Sequence, residues 1–523
     1  MSSRLKQGTY IFIGLIGIVG VIVTARAGIR QAPVPRAGST PLQPAHKHSY
    51  TLDDSAYPRF PLPASEQKYR DLDGDRMKVW VNEITAVSRK SRDDGNRFWG
   101  RIAGTQYDRM IEQWTAGKFK EARLQDVRDQ FFDLPPQWFP TAWSLTATAG
   151  GSPITLSTLR PVISSKPTPT GGILLDAVWV GLGTAADFMG RDVKGKAVFI
   201  HSVPTPGVIN NSAVWNGALQ RAEDRGAAAI VFNIAVPGNF VNQAFAGRIV
   251  DNALVPGDVP TFTIGTDDAN AVRGLVERGQ PVKVQIDLKT EMRSGLKDAN
   301  VWGTLPGTTD EDIIVMAHHD AYFEGALDNA SGMAVMVALA EHFAKIPQAE
   351  RRRTLKFVTT SGHHAGSLGV KWMHDNRATF LAKTALMINC EHVSETQTYP
   401  WGPAMRKSTN VDARRWSING SDKLAALSLN AFKMFGVTIY DEMEERCCGD
   451  GSQVQTDGPI VQLIESPAWY HSDHDTPDVV PAAGLEAVAR AYAKIIDTVN
   501  TLNRSELMPA ATGRTSSAND STR

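Results

Sequence analysis

Cysteine is scarce in this chain, long apolar runs are missing, and neither sign of charge is in surplus. Cys390, Cys447 and Cys448 are the only thiols in 523 residues, which excludes a disulfide scaffold. At most one pair can form. The adjacent Cys447 and Cys448 could close only a strained vicinal ring, so two unpaired loop thiols without a catalytic role are expected. Lys and Arg total 55 against 55 Asp and Glu, and no basic run interleaves with aromatics, so the chain offers nucleic acid no electrostatic footprint. The apolar run from Tyr10 to Val23 is shorter than the ~20 residues that a spanning helix needs. It follows Arg4 and Lys6 and precedes small residues at Ala25 and Ala27, the pattern of a secretory signal cleaved after Ala27. Export to a periplasmic or secreted location is therefore expected, with a membrane link only if that segment stays uncleaved.

What remains is ordinary globular composition, 42% hydrophobic and 21% charged, enough for two or three cores. A Pro-rich linker occupies 28–67. From 68 to 144 charged and apolar residues alternate at helical spacing, as in "DRMKVWVNEITAVSRK", and predict helices. Between 145 and 292 the texture changes to short β-rich runs, "KAVFIHSV", "AAAIVFNIA", "PTFTIG" and "VKVQIDL", separated by Gly/Pro turns, which marks a separate module. From 293 to 504 the strands "DIIVMA", "TLKFVTT", "TALMINC" and "IVQLI" alternate with helical segments. That order implies an α/β sandwich around a parallel or mixed sheet. The polar residues 505–523 are expected to be disordered.

Ligands of open α/β sheets gather where strands end, and here those points carry metal-binding side chains. "MAHHDAYFEGALDNASG" supplies His318, Asp320 and Asp328; "TSGHHAG" supplies His363 and His364; "MINCEHVSE" supplies Glu391; and "ESPAWYHSDHDTPD" supplies His471. Scattered imidazoles and carboxylates suit zinc, and imidazole-rich sites also suit iron, cobalt or nickel.

Two long motifs, His318-x-Asp320 with Gly325-Ala326-x-Asp328-Asn329-x-Ser331-Gly332, and Tyr470-His471-Ser472 with Asp475-Thr476, resemble those of the co-catalytic zinc aminopeptidase and glutamate carboxypeptidase family. "RIAGT" at 101–105 is similar to that family's R-x-x-G-T element, and 145–292 resembles the protease-associated (PA) domain inserted in many members. The resemblance implies a zinc-peptidase-type α/β sandwich and two Zn2+ ions. One would be held by His318, Asp328 and Glu391, the other by Asp328, His364 and His471, with Asp328 bridging. Asp320 would accept from the His318 ring. Family members carry Glu-Glu where this chain has His363-His364, so the usual carboxylate base is replaced by imidazole, and His363 is assigned proton shuttling. His319, His392 and His474 match no ligand position and are expected to support the ligands or pack.

The resulting expectation is an exported hydrolase of peptide or amide bonds, acting on a peptide, an acylated amino acid or a small amide through water activated by the metal pair. Two rivals share the fold: a non-catalytic interaction protein, as the transferrin receptor resembles this family without its zinc chemistry, and a glutaminyl-cyclase-like acyltransferase.

Overall fold

In the computed structural model the described residues are 53–509, apart from 205–210, 246–247, 251–252, 256 and 445, and all lie within one compact unit. The expected signal segment lies outside them. Among the described residues no helix is long and apolar enough to cross a membrane.

A seven-stranded mixed sheet organises the site. Its strands are β1 (Gln125–Asp133), β2 (Lys297–Leu305), β3 (Asp312–His318), β4 (Thr354–Thr360), β5 (Thr384–Cys390), β6 (Arg415–Asn419) and β7 (Ile460–Ile464), in the spatial order β1-β2-β4-β3-β5-β7-β6. The central strands β4, β3, β5 and β7 are parallel, with His318 in register with Thr360; antiparallel pairs close both edges. Strands β3, β5 and β7 are buried along their whole length, which is why they read as continuous apolar runs.

Alternation along β3 divides two cores. Ile313, Val315 and Ala317 pack in the larger core with helices α1 (Gly74–Asp93), α2 (Gln106–Glu121), α3 (Gly332–Ala344), α5 (Asp422–Met434) and α6 (Ala482–Val499). Ile314 and Met316 face the opposite core with Val370 and Met373 of α4 (Leu368–Asp375). Helix α3, "GMAVMVALAEHFA", is apolar almost all round and correspondingly central, as such a helix must be. Asp73 caps α1 by accepting from the Arg76 amide at 2.9 Å, offsetting one of the orphan donors at that end.

The expected helices of 68–144 extend only to Glu121. The next stretch, "QDVRDQFFD", is edge strand β1, largely solvent-facing, and a polar edge strand gives little alternation to read. A second, eight-stranded sheet is inserted after β1. Its first long strand, Gln137–Thr148, spans the expected boundary at 145 and pairs with Lys283–Arg293, so that Gln137 opposes Arg293 just beyond the Asp133–Lys297 pair of the first sheet. The chain enters and leaves the insertion side by side. Each face of the inserted sheet has its own core, Ala197 and Phe199 on one side and Val198 and Ile200 on the other.

Of the tail expected to be disordered, residues 505–509 are described and structured, and 510–523 lie outside the described residues. Asn503 and Glu506 form a capping box, and Leu507 is fully buried in the main core. All three cysteines are free. After Glu391 the chain forms an antiparallel ribbon, Thr396–Trp401 with Ala404–Val411.

Arg101, in the "RIAGT" element, explains how the loop after β3 keeps its shape. Its fully buried guanidinium donates to the carbonyls of His319 (2.8 Å), Glu324 (2.7 Å) and Gly325 (3.1 Å) and to Ser88 Oγ (2.7 Å). Both ends of the loop carrying Asp320 and Asp328 are tied to one side chain. Arg101→Ala takes this donor from the buried His319 carbonyl, whereas the Glu324 and Gly325 carbonyls keep Ser88 Oγ (3.1 Å) and the Ala330 amide (3.1 Å), so at about 1–3 kcal/mol for a buried unpaired group a loss of at least about 1 kcal/mol in urea denaturation is expected. Arg101→Lys should recover little, because one ammonium cannot reproduce the fork. An unchanged midpoint in Arg101→Ala would contradict this role.

Candidate metal centre

Four imidazoles converge on the carboxylate of Asp328, which is itself only 2% exposed. Asp328 Oδ1 lies 3.1 Å from His318 Nε2 and 3.2 Å from His392 Nε2. Asp328 Oδ2 lies 3.0 Å from both His364 Nε2 and His471 Nε2, and those two nitrogens are 3.1 Å apart. Four strand ends supply these residues: His318 ends β3 and Asp328 lies in the loop after it, His364 is in the turn after β4, His392 just beyond β5 and His471 in the loop after β7.

Local backbone conformation aims these groups. Gly362, φ 66°, turns the chain out of β4 so that His363 and His364 form a short 3-10 turn before α4, where an L side chain would be strained. The histidine pair therefore precedes the helix rather than starting it. Asp475 accepts from the amides of Leu327 (2.6 Å) and Asp328 (3.1 Å). It thus couples the His471 loop to the backbone of Asp328. The insertion grips the same loop: Gln243 N–H donates to the His471 carbonyl (2.8 Å), Asn242 Nδ2 to the Tyr470 carbonyl (2.8 Å), and Phe240 stacks on His474 at 3.7 Å.

The tautomers are fixed from outside. His364 Nδ1 is 3.1 Å from Asp320 Oδ2, and the amides of His363 and His364 donate to the same carboxylate at 3.0 and 2.9 Å. Asp320 does not accept from the His318 ring as expected. His318 Nδ1 is 3.7 Å from Asp320 Oδ1 but 3.2 Å from the Asp320 backbone carbonyl, so the main chain orients that ring and the carboxylate serves His364. His392 Nδ1 faces the Glu465 carbonyl at 2.5 Å.

Electrostatics follows from this crowding. Burial pushes Asp328 up, but His364, His318 and His392 together hold it well below the usual carboxylate range. Burial pushes His364 down and is outweighed by Asp328 and Asp320, which lift it to about 9, whereas burial takes His471 down to about 3 against the pull of Asp328. At neutral pH, ion binding must therefore expel a proton from His364.

These residues fit a zinc centre. His318 Nε2, His392 Nε2 and Asp328 Oδ1 are buried with no hydrogen-bond partner, an arrangement native interiors avoid unless something else engages the atoms. Ligands at ~2.0–2.1 Å around a tetrahedral zinc lie about 3.3 Å from one another, close to the separations seen here. Three overlapping sets of donors are close enough to share an ion: Asp328, His364 and His471; His318, His392 and Glu391; and His318, Asp320 and His364.

The structure thus brings together His318, Asp320, Asp328, His364, Glu391 and His471. It also adds His392, which sequence reasoning left among supporting residues. Glu391 is held aside more than expected: its Oε2 accepts from Asn389 Nδ2 (2.7 Å) and the Asp450 amide (3.2 Å). Its carboxylate packs so closely on Gly449 that a Cβ there would meet Oε1 at 2.1 Å. His392→Ala is expected to weaken ion binding beside His318 by at least 10–100-fold and leave the set of Asp328, His364 and His471 loaded, as zinc titration would report. Retention of both affinities would return His392 to a packing role.

His363 sits beside this centre. Its ring stacks on His318 at 4.0 Å, its Nδ1 is 2.7 Å from Asp450 Oδ1, and its Nε2 is 3.8 Å from Glu391 Oε1. Asp450 in turn accepts from Thr360 Oγ1 at 2.7 Å. Burial acts to lower the His363 pKa, but Asp450 foremost, with Glu391 and Asp320, raises it well above the ordinary imidazole value. Beside the centre lies a cavity of about 270 Å³ bordered by His364, Tyr322, Phe98, Trp138, Phe139 and Met292.

Comparison with known proteins agrees with this geometry. Aminopeptidase YwaD of Bacillus subtilis is 24% identical over 411 residues, covering 75% of this chain and 82% of that protein. Among solved structures, the zinc aminopeptidase BSAP from Bacillus subtilis superposes with a TM-score of 0.60 at 18% identity, covering 84% of this chain and 98% of that one. A Peptidase M28 precursor from Shewanella amazonensis gives 0.65 at 18% identity, covering 86% and 98%. The model of Peptidase family M28 matches residues 300–496, a span that contains every donor described above.

Proposed function

We propose that the chain is an exported, metal-dependent exopeptidase or amidohydrolase whose centre holds two zinc ions bridged by Asp328. The observation that carries the reading is the shared carboxylate, with two imidazole nitrogens at 3.0 Å from one oxygen and two at 3.1 and 3.2 Å from the other. Its similarity to aminopeptidases, and the match of 300–496 to the Peptidase family M28 model, support peptide hydrolysis. The inserted sheet is read as a PA domain.

When bound, zinc polarises the scissile carbonyl and makes water a competent nucleophile at neutral pH. The chain's own residues do the rest. Asp450 would hold a proton on His363 Nδ1, and the charge of the bound ions would oppose the upward pull of the carboxylates on this ring, leaving Nε2 free to accept a proton. His363 Nε2 takes the proton from the attacking water and returns it to the departing amine. Asp320 holds His364 through its ring and through two amides, and the clamp from the insertion holds His471. The aromatic-lined cavity beside His364 favours an apolar side chain on the substrate.

Screening the zinc-loaded chain against aminoacyl, N-acyl and carboxy-terminal amide substrates tests the reading. Turnover of one class that disappears with chelator and returns with zinc is expected. A chain that loads no zinc and turns over none of them would instead support the interaction-protein alternative.

A further inference from the structure

Directly behind the metal centre lies a second group of ligating side chains with no part in the chemistry above. Asp108 and Glu112 sit one turn apart on α2, Asp298 lies on β2, and His319 immediately follows β3. All four are between 0% and 2% exposed, and one donor atom from each lies within 4.8 Å of the others.

One oxygen of each carboxylate is already occupied on the outer side. Asp108 Oδ2 accepts from the Gly104 amide (3.2 Å) and Ser361 Oγ (3.4 Å), and the Ala299 amide serves Glu112 Oε1 (3.0 Å) and Asp298 Oδ1 (2.9 Å). Glu112 is also paired with Arg109. The inner atoms are different. Asp108 Oδ1, Asp298 Oδ2 and both ring nitrogens of His319 are buried without a hydrogen-bond partner, with His319 Nε2 3.4 Å from Asp108 Oδ1.

Three desolvated carboxylates facing one another cost several kcal/mol each unless protons or a cation intervene. Protons shared among the carboxyls would satisfy the oxygens alone and leave a fully buried imidazole with two unpaired nitrogens. A cation satisfies all of them.

We propose that Asp108, Glu112, Asp298 and His319 form an additional divalent-cation site, separate from the Asp328 centre. Three carboxylates with one imidazole suit a first-row ion such as Zn2+ or Mn2+. The ion ties α2 and β2 to the end of β3. Because His319 stands between His318 and Asp320, it braces the backbone that presents the centre and touches neither substrate nor reacting atoms.

The test counts metal in the full chain, stripped with chelator and reloaded separately with Zn2+ and Mn2+. Asp328→Asn, which leaves the proposed site intact, is expected to keep one tightly held equivalent that raises its Tm. Adding Asp298→Asn or His319→Gln should abolish both that equivalent and the Tm response. If the added substitution prevents folding, the single variant still decides. An Asp328→Asn protein that keeps no tight equivalent and shows no metal-dependent Tm would overturn the proposal and leave the carboxyls sharing protons. Retention of the equivalent after both Asp298→Asn and His319→Gln would also overturn it.

Discussion

Asp328→Asn should empty both sides of the centre at once. The substitution keeps shape and one oxygen ligand but removes the charge that four imidazoles now face. Removing one partner from a buried charged assembly costs about 3–5 kcal/mol, and at about 1.36 kcal/mol per decade this is roughly a 10²- to 10⁴-fold loss of affinity for each ion. Zinc titration followed by chelator competition measures it. Loss confined to one ion would mean that Asp328 serves a single site. Turnover should fall with metal content, and zinc in excess of the weakened affinities should recover part of it.

The second large effect belongs to His363. Its removal leaves every atom around Asp328 in place, so His363→Ala should retain zinc while kcat falls by ~10²- to 10⁴-fold, the usual contribution of a positioned acid-base group. Asp450→Asn tests orientation through the same ring. Losing that carboxylate removes the first upward influence on the His363 pKa. The base must be unprotonated to act, so the acid limb of the pH profile should move to lower pH. His363→Glu should move it the same way, since a carboxylate loses its proton below imidazole in the same field. Wild-type turnover in His363→Ala, under conditions where chemistry limits the rate, would remove His363 from the mechanism.

The sheet and most of the centre were legible because the buried parallel strands β3, β5 and β7 read as apolar runs, each ending in chemistry-bearing residues. His392 was not. Neighbouring residues of a strand point to opposite faces, so Glu391 and His392 read as one inward and one outward group. The strand stops at Cys390, however, and His392 adopts φ 49°, a left-handed conformation that a non-glycine residue rarely announces. His471, at φ 54°, was legible both from its place after β7 and from the motif around it. Edge strand β1 was invisible for the opposite reason, since with little buried surface it carries neither helical nor strand periodicity. The Asp108–Glu112 pair shows the usual one-turn spacing of a solvated helix face, and only the packing of β2 against α2 makes it buried.

The central claim is a centre bridged by Asp328, and anomalous diffraction at the zinc edge from crystals of the zinc-loaded chain addresses it most directly. The account predicts two peaks about 3.5–4 Å apart, the spacing of two-metal sites. One should lie between Asp328 Oδ1, His318 and His392, the other between Asp328 Oδ2, His364 and His471. A single peak at this position, or zinc bound by His363 with Asp328 uninvolved, would contradict it.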